Sequence, residues 1–85
     1  MTYKIKATFA EGVTQDQLAQ ITRSMGISRE NPPEGSIKHQ EFVEDGRIVY
    51  IDEWISKAAF NVFLKQLASP AHSEAGIPLP EIEEI

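Results

Sequence analysis

Ser36-Ile37-Lys38-His39-Gln40-Glu41-Phe42-Val43-Glu44-Asp45-Gly46-Arg47-Ile48-Val49-Tyr50-Ile51-Asp52-Glu53-Trp54 is the stretch that decides the fold. Two alternating runs flank Asp45-Gly46, and Asp-Gly in that setting predicts a two-residue type I′ hairpin. Fixing the turn fixes the register. Glu44 faces Arg47, Phe42 faces Val49, Gln40 faces Ile51 and His39 faces Asp52. A one-residue slip would carry every side chain to the opposite face.

The reading extends outward on both sides. Upstream, Tyr3 to Phe9 alternates apolar and polar, which predicts a half-buried strand ended by Glu11-Gly12. Thr14 with Gln17 forms a capping box, and Leu18, Ile21, Thr22 and Met25 recur at helical spacing until Gly26. This predicts a helix over 15–25. Ile27 to Gly35, with Asn31-Pro32-Pro33, is a loop.

Downstream, Ser56 caps a helix over Lys57 to Leu67 with Ala59, Phe60, Phe63, Leu64 and Leu67 as its apolar stripe. Ser69-Pro70 is expected to break it, leaving one further short turn over Ala71 to Ala75. Glu81 to Ile85 alternates again as a last strand. The order β-α-β-β-α-β predicts an α+β, ferredoxin-like fold. Four antiparallel strands, in spatial order 4-1-3-2, carry two helices on one face. Residues 1–85 read as a single domain.

Composition narrows the function. A chain of 85 residues buries only about 60–65% of its unfolded surface, and it has no cysteine to reinforce a thin core. Oligomerisation is a common remaining source of stability. Thirteen acidic against eight basic residues give a net charge of −5, which argues against nucleic acid and against an anionic membrane surface. No apolar signal segment precedes the first strand, and the expected location is the cytoplasm. Two histidines far apart and no cysteine predict no metal site.

The hairpin divides into two sets. Phe42, Val49 and Ile51, extended by Ile5, Ala7 and Phe9, are expected to form the dry platform beneath the helices. Ile37, His39, Glu41, Val43, Ile48, Tyr50, Asp52 and Trp54, with Lys4, Lys6 and Thr8, are then expected on the helix-free face. That face is too apolar for solvent alone, so it predicts a homodimer packed through it. His39 and Asp52 are cross-strand neighbours, and a carboxylate beside an imidazole orients a general base. Glu41 and Tyr50 form the next pair, and Lys6 is expected beside Asp52. Two readings stay open for these groups: interface ion pairs, or contacts to a small molecule. His72 reads as a capping or surface residue.

Tyr50-Ile51-Asp52-Glu53-Trp54-Ile55-Ser56-Lys57-Ala58-Ala59-Phe60 and Leu67-Ala68-Ser69-Pro70-Ala71-His72 resemble the dimeric α/β-barrel superfamily, in particular antibiotic-biosynthesis-monooxygenase-like domains. The resemblance implies a homodimer with a cavity between sheet and partner. It implies oxidation of an aromatic or apolar small molecule without a cofactor, the substrate carbanion reacting with oxygen. By the resemblance Trp54, Asp52 and Tyr50 would be pocket residues; in the enzyme reading of the residues His39 and Asp52 would be catalytic, and Trp54, Tyr50, Glu41, Lys6 and Thr8 would bind substrate. The second-helix histidine of family members is replaced here by Phe63 and Leu64, and Lys6 and Thr8 stand where haem-degrading members use a first-strand Asn. Haem is therefore not expected. Two other functions compete: a non-catalytic ligand-binding or structural homodimer, and an accessory domain acting with a partner protein.

Overall fold

The computed structural model describes residues 2–85. Strand β1 (Tyr3–Thr8) leads to helix α1 (Gln15–Ser24), then to the hairpin of β2 (Ser36–Glu44) and β3 (Arg47–Trp54). Helix α2 (Lys57–Phe63), a π-helical segment (Leu64–Ala68) and helix α3 (Ser69–Ala75) follow, and β4 (Glu81–Glu84) ends the order. The antiparallel sheet runs β2-β3-β1-β4, the arrangement expected for a ferredoxin-like fold.

The local signals act as their chemistry predicts. Asp45 and Gly46 both have positive φ, 52° and 76°, as a type I′ turn requires. At the start of α1, Gln17 N–H donates to Thr14 Oγ1 at 3.1 Å, and Thr14 N–H donates to Gln17 Oε1 at 2.9 Å. Ser56 caps α2 by accepting from Ala59 N–H at 3.1 Å.

Ser69-Pro70 does not break the second helical region. The preceding residues widen into a π-helical turn, and Ser69 N–H reaches back five residues to the Leu64 carbonyl. Proline lacks an N–H, and its ring clashes with the carbonyl four residues back. The wider turn relieves that clash, so the helix runs on to Gly76, whose φ of 72° closes it.

The two sheet faces are the reverse of the expected assignment for the hairpin. Ile5 pairs with Asp52, Ala7 with Tyr50, and Phe9 N–H donates to Ile48 O at 3.0 Å. The apolar side of β1 thus shares a face with Ile48, Tyr50, Asp52 and Trp54, and this face meets the helices. Trp54 packs on Phe60 and Phe63 with ring centroids 5.5 and 5.0 Å away, and Tyr3 lies 5.8 Å from Phe60. A second cluster joins Phe9 and Ile48 to Leu18 and Ile21 of α1. Burial decides the orientation: Trp54 and the β1 side chains remove more apolar area from water than Phe42 and Ile51 could. Phe42, Val49 and Ile51 lie on the helix-free face with Lys4, Lys6 and Thr8.

Lys6 lies across from Ile51, not Asp52, and its Nζ pairs with Glu44 Oε1 at 2.8 Å. The register places Val49 beneath that diagonal, and Val49 is 0% exposed although no helix covers it.

The loop entering β2 turns on Gly35, whose φ is +89° and whose carbonyl accepts from Ile55 N–H at 2.8 Å. A Cβ there would stand 2.8 Å from the Ala59 Cβ, closer than carbon atoms pack. Gly35→Ala is therefore expected to lower the unfolding free energy by about 1–3 kcal/mol. Urea denaturation followed by circular dichroism measures it, and unchanged stability would contradict the close approach.

Candidate functional site

The sheet and the helices packed on one of its faces line a partly open cavity of about 530 Å³ between them. This cavity lies within the single chain, on the sheet face opposite the one expected to meet a partner. The physical cause is the face reversal: the aromatic side of the hairpin points toward the helices, which arch over it instead of filling the space. Ile5, Ala7, Phe9, Tyr50 and Trp54 form its floor. Leu18, Ile21 and Met25 wall one side, and Phe60, Phe63 and Leu64 wall the other. His39, Glu41 and Asp52 lie along the β2 side, with Arg29 and Pro32 of the loop nearby.

Trp54 is 2% exposed, and its Nε1–H has no hydrogen-bond partner. Among the described residues it is the sole buried side-chain nitrogen or oxygen left in that condition. An unsatisfied buried donor costs about 1–3 kcal/mol, and such groups are rare in native structures.

His39 and Asp52 are paired across the strands as the hairpin register predicts, with His39 Nδ1 against Asp52 Oδ1. On its other side, His39 Nε2 lies 3.6 Å from Glu41 Oε1. The Asp52 side chain is 14% exposed and that of His39 46%, so the pair bridges the cavity wall and solvent. The Asp52 hydrogen bond raises the His39 pKa above its ordinary 6.5; burial opposes this, and the Asp52 and Glu41 charges add to the rise. Tyr50 is held between Phe9 and His39, with centroids 4.8 and 4.5 Å away and both contacts edge-to-face. Burial, then the neighbouring Glu41 charge, push its phenol well above the ordinary 10.0, so Tyr50 is a hydrogen-bond donor and not a base.

The structure thus brings His39, Asp52, Tyr50, Glu41 and Trp54 to one cavity. It does not bring Lys6 and Thr8 there. Both lie on the opposite face of β1, where Lys6 is committed to Glu44.

His72 is a functional candidate that sequence reasoning missed. It is 6% exposed and lines the cavity, so it is not a surface residue. Its signal was the continuation of the helical stripe through Leu64, Ala68 and His72 at successive intervals of four, hidden by the assumed break at Pro70. Among the described residues no group of three or more His, Asp and Glu side chains is placed to hold a metal ion. No helix among them is long and apolar enough to cross a membrane.

No family model matches the sequence, and no curated protein does. Solved structures do match. Protein SO0527 from Shewanella oneidensis superposes with a TM-score of 0.67 at 18% identity, covering 99% of this chain and 88% of that one. The cofactor-independent oxygenase SnoaB from Streptomyces nogalater gives 0.59 at 19% identity, covering 99% of this chain and 88% of its own. A third, an antibiotic biosynthesis monooxygenase, gives 0.58 at 15% identity, covering 100% and 96%. At these identities the likeness establishes a shared architecture: the chain has the ferredoxin-like fold of antibiotic-biosynthesis-monooxygenase-like proteins.

Proposed function

We propose that this chain is a small homodimeric, monooxygenase-like protein. It takes a flat aromatic or otherwise apolar molecule into the cavity between sheet and helices, and oxidises it without a cofactor. The observation that carries the reading is the orphaned Trp54 Nε1–H among the aromatic and aliphatic side chains of the cavity floor. A ligand oxygen there satisfies the donor and removes its cost. The structural likeness to SnoaB supports the oxidative chemistry.

In this reading His39 Nε2 takes a proton from an acidified C–H of the ligand, and Asp52 holds the resulting imidazolium. The carbanion's electron pair reduces molecular oxygen and forms a C–O bond to a peroxide. The imidazolium returns its proton to the terminal oxygen, and loss of the carbon's second hydrogen with hydroxide, as water, leaves a carbonyl. The dry walls keep water from reprotonating the carbanion. Tyr50, held as a phenol, donates a hydrogen bond beside the base.

The helix-free sheet face supports the homodimer. Phe42, 41% exposed, and the half-buried Ile51 sit at its centre, with Lys4, Lys38 and Glu53 around them. Charges of both signs around an apolar centre suit contact with a second copy of the same face.

A non-catalytic reading has one observation in its favour. Both ring nitrogens of His39 face carboxylates, which favours the imidazolium over the free base.

Four experiments test these readings. Binding of 2-acetylnaphthalene, a flat ligand with one carbonyl, is expected by calorimetry and is expected to weaken about tenfold in Trp54→Phe; equal affinities would remove Trp54 as the anchor. Turnover of an identified substrate is expected to vanish in His39→Ala and, in the native chain, to rise with pH through the raised His39 pKa, above 6.5. The stability contribution runs the other way. Protonated His39 gains Asp52 only in the folded chain, so that stabilisation is complete below 6.5 and lost as pH rises through the folded value. Thermal unfolding stepped across this range reads the second slope, and a rate profile flat in pH would dismiss His39 as the base. Finally, Phe42→Lys is expected to turn a sedimenting dimer into a folded monomer; a native chain that sediments as a monomer rejects the dimer outright.

A further inference from the structure

His72 sits where helix α3 ends, and its surroundings fix its chemistry. Ile77 N–H donates to the His72 carbonyl at 3.0 Å, and the His72 ring turns back so that Nδ1 meets the Ile77 carbonyl at 3.3 Å. A carbonyl oxygen can only accept, so Nδ1 is the nitrogen that carries hydrogen. A ring that carries hydrogen on Nδ1 alone has an acceptor lone pair on Nε2. The ring plane is held as well: it lies within 12° of parallel to Phe9, centroids 6.1 Å apart. Among the described residues His72 has no other side-chain hydrogen bond and no ion pair. An acceptor in a residue only 6% exposed thus lines the same cavity as the unpartnered Trp54 donor.

An ordinary core position would not favour histidine. His72 Nε2 is not a fully buried atom and keeps access to open space at the cavity wall, where Phe or Leu would offer no acceptor. The acceptor makes sense when a ligand completes it.

We propose that His72 is a specificity-determining residue of the cavity: its Nε2 accepts a hydrogen bond from a hydroxyl or N–H group of the bound ligand. With Trp54 donating to an oxygen, the two residues select a ring that carries both a donor and an acceptor. A cavity equipped in this way discriminates strongly against an analogue that lacks the donor, because the analogue covers Nε2 without pairing it. This inference rests on the ligand-binding cavity proposed above and adds to it the polarity of the ligand.

The test uses two probes of nearly the same shape, 2-naphthol and 2-methoxynaphthalene, which differ in the hydroxyl hydrogen. Calorimetry of the native chain is expected to show the naphthol binding about tenfold tighter. In His72→Phe, which keeps a ring over Phe9, the preference is expected to fall to about one, with the ether binding as before. A second measurement needs no variant. The ¹⁵N resonance of His72 Nε2 in the native chain is expected to move upfield when 2-naphthol saturates the protein, and to stay in place with 2-methoxynaphthalene. If both probes bind equally, or the preference survives in His72→Phe, or the resonance stays unmoved with naphthol bound, His72 is not the acceptor and the cavity reading stands without it. If neither probe binds the native chain, the cavity reading itself fails, and the role of His72 fails with it.

Discussion

The pairing of Ile5 with Asp52 and Ala7 with Tyr50 couples the first strand to the hairpin, and most other features of this molecule follow from its parity. In a pleated sheet a side chain can go to only two places. Shifting β1 by one residue against β3 would place Ile5, Ala7 and Phe9 with Phe42, Val49 and Ile51 and leave Trp54 facing outward. The observed parity instead gathers three aromatic residues, Phe9, Tyr50 and Trp54, with Ile5 and Ile48 beneath the helices. Phe60 and Phe63 then have partners, and the aromatic contacts at 5.0–5.8 Å bind α2 to the sheet.

The same parity has a cost. A face chosen for its aromatic bulk brings its polar members along, because His39, Glu41 and Asp52 share the pleat parity of Ile48, Tyr50 and Trp54. The chain handles each differently. Asp52 and His39 satisfy one another at the sheet margin, where the imidazole still reaches solvent. Tyr50 is wedged edge-to-face between Phe9 and His39 and kept as a phenol. Trp54 Nε1 is left without a partner. Polar groups at a dry interface that are not all paired within the chain are where local consistency gives way to function in other proteins. Here they surround a single cavity.

Legibility followed the range of the interaction. The Asp45-Gly46 turn, the Thr14–Gln17 box and the Ser56 cap are each closed by residues within a few positions, and the sequence displays them. The His39–Asp52 pairing was legible for the same reason, since a two-residue turn propagates its register up the hairpin. Which face of that hairpin meets the helices is a different kind of question. β1 reaches β3 only through α1 and a long loop, and no tight turn transmits its parity. Judged on the hairpin alone, Phe42-Val49-Ile51 looks drier than a set containing His39, Glu41 and Asp52. Only the sum over three strands and two aromatic helix positions favours the other face. Lys6 was misplaced beside Asp52 by the same step, because it stays on the outer face and pairs with Glu44.

Pro70 shows how one local rule can hide a site. Proline removes a hydrogen bond and intrudes on the preceding turn, so a break is the ordinary expectation. The five residues Leu64–Ala68 resolve the conflict by widening the helix, with Ser69 bonded back to Leu64. The widened turn keeps the helical path intact for one more element. That element carries His72 over Phe9, and Gly76 then reverses the chain so that the Ile77 carbonyl meets the imidazole. Had the helix stopped at Ser69, nothing would hold that ring in the cavity wall. A π-helical turn is a less favourable geometry than the α-helix it replaces, and such turns recur at functional sites. In this chain its structural yield is specific: one buried imidazole with its tautomer fixed and its other nitrogen free.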